Sequence, residues 1–282
     1  MHQTDKIADG NDKSRHALDI ALDLSPGKNN SFQGEIPPTY SNFVGPYGGI
    51  LAAKLLRAIQ LHPEKLGEPI AVTVNYGGRV KSEAFDILVR PTCTNRSSQH
   101  WLMELQQAGE IPVTGSAVFA HRRNAWSDQE KHMPLVPSPN ELPCMKTEGL
   151  TAWVANYDIR IHSGSLALQM DPPQAQTDSE TLLWVRDHPS RPIDFAALMA
   201  MSDIFFPRIF VRRPVFVPAG TISITTYIHA SQEELAQQAD NYLLARASGN
   251  RYHKGYFDHS GELWGADGTL LATTHQVVYY KE

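Results

Sequence analysis

Asp203 is the residue whose surroundings most suggest chemistry. It interrupts an otherwise apolar run, RPIDFAALMAMSDIFFPR at Arg191–Arg208, which Pro207 closes. Read as a helix, the run puts Ala196, Ala200 and Asp203 on one face, so the acid lies beyond two methyl-sized residues and a partner can approach it closely. An unpaired buried charge costs several kcal/mol, on the order of a domain's whole stability, so a buried Asp203 must find hydrogen-bond donors elsewhere in the fold. The plainer alternative is a helix-end carboxylate facing solvent or satisfied by backbone N–H groups. Helix preference does not explain it, because Asp near a helix C-terminus opposes the macrodipole.

A second feature is Gly45-Pro46-Tyr47-Gly48-Gly49, where Pro can start a helix and the glycines expose its first backbone N–H groups. Gly48 and Gly49 could there receive a carbonyl oxygen that turns negative, or a phosphate. Equally, they could serve only to let the helix pack tightly on a sheet. Other chemistries lack their signatures. There is no GxSxG elbow for a nucleophilic serine. His229, His253, His259 and His275 have no HExxH-type spacing and read as surface or satisfied core residues, while Cys93 and Cys144 have no metal-ligand spacing and read as reduced thiols. No metal and no cofactor is expected.

The 282 residues suit two similar domains or one large one, and 41% hydrophobic with 20% charged residues is ordinary for a soluble globular protein. A net charge of −5 offers no basic field for nucleic acid, so an anionic ligand must meet local clusters of cations. No apolar run approaches the roughly 20 residues that span a bilayer, and the start, MHQTDKIADGNDKSRH, is too polar for a signal peptide. The expectation is therefore no membrane and a cytoplasmic location.

The elements that must position these residues follow from periodicity. Met1 to about Arg15 reads as a loose terminus, Ala17–Leu24 as a half-buried strand or short helix, and Phe32–Val44 as loop or edge strand. GPYGGILAAKLLRAIQLH is an amphipathic helix with Leu51, Leu55, Ala58 and His62 on its apolar stripe and Lys54 and Arg57 pointing elsewhere. Four strands follow, at 70–76, 84–90, 100–107 and 112–120, the last two turned at Ala108-Gly109. The proline-rich segment 124–150 reads as a linker between a domain at 16–123 and a second at 151–282. The second half repeats the order: strands at 157–161 and 181–186, the Asp203 helix, then strands at 221–230, 242–248, 254–264 and 270–280 with a turn at Asp267-Gly268. A short helix capped by Ser231 and Glu234 is inserted. A long helix followed by four antiparallel strands, twice, is an internal duplication. The fold class is α+β, each half a helix wrapped by one face of a curved antiparallel sheet.

That layout, with the strings FQGE, the Gly48-Gly49 helix start, TNRSSQHWLMELQQAGEIP, YDIRI, LLWVRDH, MSDIFFP and GELWGADGTLLATTHQ, resembles the double-hotdog acyl-CoA thioesterases of the type II (medium-chain and peroxisomal) group, from about Phe32 to Gln276. The resemblance implies two tandem hotdog domains. It also implies a catalytic Asp late on the second helix, a Thr on a following strand and a Gln on the last strand, together orienting the hydrolytic water. Asp203 and Gln276 match the first and third; Asn250, or a shifted Ser248, falls where the Thr is expected. Phe195, Met199, Met201, Phe205 and Phe206 could line an acyl tunnel or be plain core. Arg208, Arg212, Arg213 and Arg251, with Arg246 and Lys254, are the candidate contacts for the CoA phosphates, and homo-oligomers are implied by resemblance. The expected function is acyl-CoA hydrolysis by water held at Asp203, Asn250 and Gln276, with the oxyanion met at a helix N-terminus such as Gly48-Gly49. The alternatives are a 2-enoyl-CoA hydratase, which calls for an Asp/His pair, and a non-catalytic acyl-CoA binding or sensing protein.

Overall fold

The computed structural model describes residues 15–28 and 31–282, so the polar start expected as a loose terminus falls almost wholly outside the described residues. The segment ALDIALDL resolves as helix: α1 (Ala17–Ala21) buries Leu18, Ala21 and Leu22, at helical spacing, and His16 Nδ1 accepts from the Leu18 N–H at 3.1 Å. The first half continues with β1 (Ser25–Pro26), β2 (Ser31–Gly34), α2 (Gly48–Leu61), β3 (Glu68–Tyr76), β4 (Phe85–Thr94), β5 (Ser98–Gln107) and β6 (Glu110–Ala120). The second half runs β7 (Tyr157–Ser163), β8 (Thr181–Asp187), α3 (Phe195–Met201), α4 (Arg208–Arg212), β9 (Ala219–Ile228), α5 (Gln232–Gln238), β10 (Leu243–His253), β11 (Tyr256–Trp264) and β12 (Leu270–Tyr280).

All the strands join one antiparallel sheet in the order β1-β2-β4-β5-β6-β3-β9-β12-β11-β10-β8-β7. The order is a palindrome: each strand of the first half has its counterpart at the mirror position of the second. The halves meet along β3 and β9, where Thr73 pairs with Thr225 and their hydroxyl oxygens lie 3.0 Å apart on the local axis. This is the double-hotdog arrangement, and it refines the expected repeat: two strands precede each long helix and four follow it.

Helices α2 and α3 pack on each other beneath the sheet, and α2 also touches β3, β4 and β5. Such a helix has little solvent face left, which corrects the amphipathic reading of Lys54. That side chain is 1% exposed, and its ammonium donates to the Ala21 and Glu35 carbonyls at 2.9 and 2.5 Å, tying α1 and the loop after β2 to α2. Burial holds its pKa down to about 8. Helix α3 is shorter than the apolar run suggests: it ends at Met201, so Asp203 sits in the turn beyond its C-terminus.

The segment 124–150 carries no strand, yet it is not a free connector. Met133, Val136 and Leu142 pack on the cluster Trp184, Tyr242, Leu244 and Trp264, and the Trp184 indole donates to the Pro137 carbonyl at 2.9 Å. Among the described residues no helix is long and apolar enough to cross a membrane.

Candidate active site

The approach of α2 to α3 builds the site. At Gly49 an added Cβ would lie 2.3 Å from the Ala200 carbonyl oxygen, and at Gly48 one would lie 2.8 Å from Asp203 Oδ2. Any side chain at either position would force the helices apart or displace the carboxylate, so tight packing and exposure of the first amides are the same property here. Two tyrosines fix the contact: Tyr47 Oη donates to the Ala200 carbonyl at 2.7 Å, and Tyr76 Oη donates to the Gly48 carbonyl at 2.8 Å.

Asp203, from the second half, thus faces the N-terminus of α2, from the first. The Gln276 amide donates to its Oδ1 at 2.8 Å and the Gly49 backbone N–H also bonds to it. Burial nevertheless dominates those two bonds and pushes the carboxyl up to about 7, the range a general base needs near neutral pH. Gln276 lies on β12, 2% exposed, and its Oε1 accepts from the Thr221 hydroxyl of β9 at 3.1 Å. That bond fixes the amide so that its NH₂ points at Asp203.

Thr221 therefore completes a chain Thr221–Gln276–Asp203, and Asn250 and Ser248 do not belong to it. Arg246 and Ser248 alternate with the buried Ala245 and Ala247, so β10 turns Ser248 outward. Past a bulge, exposed Asn250 donates to Asp258 Oδ2 at 2.8 Å, beside His275 and Ser260 on the outer face. The correction has a physical cause. Gln276 is flanked by β9 as well as β11, and a bulge between Val277 and Val278 brings Thr221, opposite Val278, onto the side chain face that simple alternation along β9 would not give it.

Asp203, Gln276, Thr221 and His259 line one cavity of about 500 Å³ whose other walls are mainly apolar, including Tyr47, Trp153, Phe205, Phe206, Phe216 and Val278. Tyr47 stacks on Trp153 at 4.2 Å between ring centroids, which stiffens the wall beside the α2 N-terminus. Phe43 and Phe216, 68% and 65% exposed, meet edge to face at its mouth. Of the tunnel candidates, Phe205 and Phe206 line the cavity, whereas Phe195, Met199 and Met201 are buried with α3 in the core.

The expected phosphate contacts fare differently. Arg208 is 1% exposed; its guanidinium donates to the Phe206 and Ser179 carbonyls and to the Thr181 hydroxyl, so it staples α4 to β8 and cannot meet a phosphate. Arg212 donates to the Gln176 carbonyl, Arg213 pairs with Glu282, and Arg246 pairs with Glu180. Arg251 and Lys254 are exposed beyond the bulge of β10. His259 is neither a surface histidine nor a satisfied one: it is 1% exposed and neither ring nitrogen has a partner. Among the described residues no group of three His, Cys, Asp or Glu side chains is placed to hold a metal ion.

The comparisons with known proteins agree with the fold. The acyl-CoA thioesterase N-terminal domain matches residues 36–120 and the acyl-CoA thioesterase C-terminal domain matches residues 130–280. A conserved hot dog fold protein from Alicyclobacillus acidocaldarius is 42% identical over 95% of this chain and 99% of its own, with a TM-score of 0.90. A putative thioesterase II from Thermobifida fusca YX is 19% identical over 94% of this chain and 97% of its own, with a TM-score of 0.78. The acyl-CoA thioesterase II TesB2 of Mycobacterium marinum is also 19% identical, over 94% and 98%, with a TM-score of 0.72; these last two share the fold. No curated protein matches the chain. With both of its halves matched in order, the chain belongs to the acyl-CoA thioesterase family and is a thioester hydrolase.

Proposed function

We propose that this protein hydrolyses an acyl-CoA with a water activated by Asp203 and oriented by Gln276, Thr221 holding Gln276 in place. The observation that carries this reading is the raised carboxyl of Asp203 in an apolar cavity, facing both an amide donor and a helix N-terminus. The acyl chain lies against Phe205, Phe206 and Val278 and the thioester carbonyl sits at the first turn of α2. As the water attacks, its proton passes to Asp203 and the carbonyl oxygen becomes negative. The first-turn amides of α2 that Asp203 leaves open, the Gly49 N–H being bonded to the carboxylate, meet that charge, and the dipole of the helix favours it. Collapse of the tetrahedral intermediate expels the CoA thiolate, which takes a proton and leaves the free acid.

Thr221 supplies a hydroxyl to the chain that ends at Asp203, which weighs against a non-catalytic binder. One observation favours the hydratase reading, since His259 shares the cavity with Asp203, but no hydrogen bond joins the two. Outside the cavity, Arg212, Arg213 and Arg251 are the proposed phosphate contacts; the exposed Arg213–Glu282 pair holds little energy and can give way to a phosphate. A cytoplasmic setting and further homo-oligomer formation belong to the same reading.

The experiment is release of free thiol from a panel of acyl-CoAs, run beside loss of the conjugated enoyl absorbance from 2-enoyl-CoAs. Thiol release that disappears in Asp203→Asn is the expected result. Loss of enoyl absorbance without thiol release would replace hydrolysis by hydration.

A further inference from the structure

The wall of the cavity beside Gln276 continues into the core as a strip of polar side chains. On the inward face of the sheet, His259 of β11 is paired with Gln276, and Thr274 and Thr226 are paired one step further along β12 and β9. His259, Thr274 and Thr226 are 1%, 4% and 0% exposed. Both ring nitrogens of His259 and both threonine hydroxyls lack any hydrogen-bond partner within the protein. An orphaned buried polar group costs about 1–3 kcal/mol, so three together, contiguous with the proposed reaction centre, call for a partner that arrives with a ligand.

The duplication supplies an internal control. The inward positions related by the palindrome to Gln276, His259, Thr274 and Thr226 are Ala117, Trp101, Gly115 and Val74, and they are paired in the same way in β6, β5 and β3. Among those four twin positions only Trp101 has a hydrogen-bonding side chain, and its indole donates to Gln99 Oε1 at 3.0 Å, so the fold builds this stretch of sheet without an orphaned polar group in that half. The polar version occurs only in the half that carries Asp203, and it is contiguous with the cavity at His259, which lines it.

Its chemistry is narrow. Burial, and after it the Arg208 guanidinium, keeps His259 neutral, so the ring offers one N–H donor and one acceptor rather than a charge. Phe205 stands edge-on to His259 at 6.0 Å between centroids, and its ring fills the space where Gly261, opposite Thr274, has no side chain. Such a wall suits a neutral oxygen on an otherwise apolar chain, since a carboxylate or ammonium there would be left unpaired. Neighbouring strands lie about 5 Å apart, so the oxygen belongs only a few bonds from the thioester carbonyl.

Resting on the thioesterase reading, we infer that His259, backed by Thr274 and Thr226, forms a subsite for a hydroxyl or oxo oxygen near the thioester end of the acyl chain, and that the protein selects oxygenated acyl groups over plain alkyl ones.

The test compares hexanoyl-CoA with 3-hydroxyhexanoyl-CoA, using the full chain and the variants His259→Phe and Thr274→Val, the second being close to isosteric. The wild type should favour the hydroxylated substrate about tenfold or more in kcat/KM, and that ratio should fall towards one in each folded variant. Equal kcat/KM values in the wild type, or a preference untouched by both variants, would overturn the subsite and leave the strip as structure. The ligand-induced rise in Tm, measured with the same two thioesters, reads the subsite without turnover. If neither substrate is hydrolysed, the thioesterase reading fails, while a larger Tm rise with the hydroxylated ligand that is lost in Thr274→Val would still support the subsite.

Discussion

Asp203→Asn should make the protein inactive and, above neutral pH, more stable. Burial raises the carboxyl from 3.8 to about 7, so the folded state holds its proton more tightly than the unfolded chain does. The favourable contribution of this group is fully present below about pH 4 and is lost as pH rises through 7. A rise of that size corresponds to about 4 kcal/mol, and because one edge of Asp203 opens to the cavity, roughly half of it, about 2 kcal/mol, is the expected gain on removing the charge. Asn keeps the shape, and Gln276 can turn its amide only by giving up the Thr221 bond, which trims the gain further. Denaturant unfolding of both proteins at pH 5 and pH 8.5 measures it: the variant should overtake the wild type between the two. Asp187, buried and also pushed up to about 7, is present in both proteins and cancels in the difference. Thiol release should drop about 10²-fold or more. A folded variant within tenfold of wild-type turnover, or a stability difference that does not change with pH, would refute the assignment of Asp203 as the buried base.

The neighbours of Asp203 give further expectations. Gln276→Ala removes a bond that lowers the carboxyl, so kcat should fall and the acid limb of the pH–rate profile should move to higher pH, which separates a positioning role from a merely structural one. Thr221→Val should lower kcat about tenfold by releasing the Gln276 amide, and Thr221→Ser should restore it. Asn250→Ala should leave kcat/KM within about twofold, because its side chain is engaged with Asp258 on the outer face. Gly49→Ala, driving a methyl against the Ala200 carbonyl, should cost about 1–3 kcal/mol in urea unfolding, more than Gly48→Ala, whose main effect should be on turnover through Asp203.

What the sequence disclosed and what it hid divide along physical lines. Period-two strands, the Gly48-Gly49 helix and the lone acid in an apolar run are local patterns, and each was legible because local periodicity sets burial. Gln276 was found by resemblance, not by alternation alone. Thr221 was missed because its partner is chosen by strand order and by a bulge, neither of which leaves a mark in the β9 sequence TISITTYI. The burial of Arg208 and Lys54 was missed for a related reason: both long cations look like surface residues until the carbonyls that accept from them are brought in from distant segments. His259 has the opposite character. Its inward parity on β11, between outward Asp258 and Ser260, was readable in principle, and only the missing partner makes it informative.

The palindromic sheet also explains why one chain offers one such site. There are two places where a helix end meets a helix start, yet they carry different residues. Counted from the first helical residue, position nine is Asp203 just past α3 and Leu56 within α2, while the first two residues are Gly48-Gly49 in α2 and Phe195-Ala196 in α3. The acid lies in one half and the glycine-lined helix start in the other, so the pairing of halves brings the proposed reacting groups together at one of the two crossings. At the opposite meeting point lies a second cavity of about 490 Å³, bordered by Phe195, Ala196, Arg57 and Gln60, where Arg191 bonds both Asp19 and Asp194. Those ion pairs occupy the start of α3 with the protein's own carboxylate, since the Asp194 side chain already accepts from the Ala197 N–H at 2.8 Å. At the start of α2 Asp203 likewise accepts from the Gly49 N–H, but its side-chain partner is the neutral Gln276 amide rather than an arginine. On the proposed reading one crossing carries the chemistry while ion pairs close the other, and the polar strip behind Gln276, absent from its twin, follows the same division.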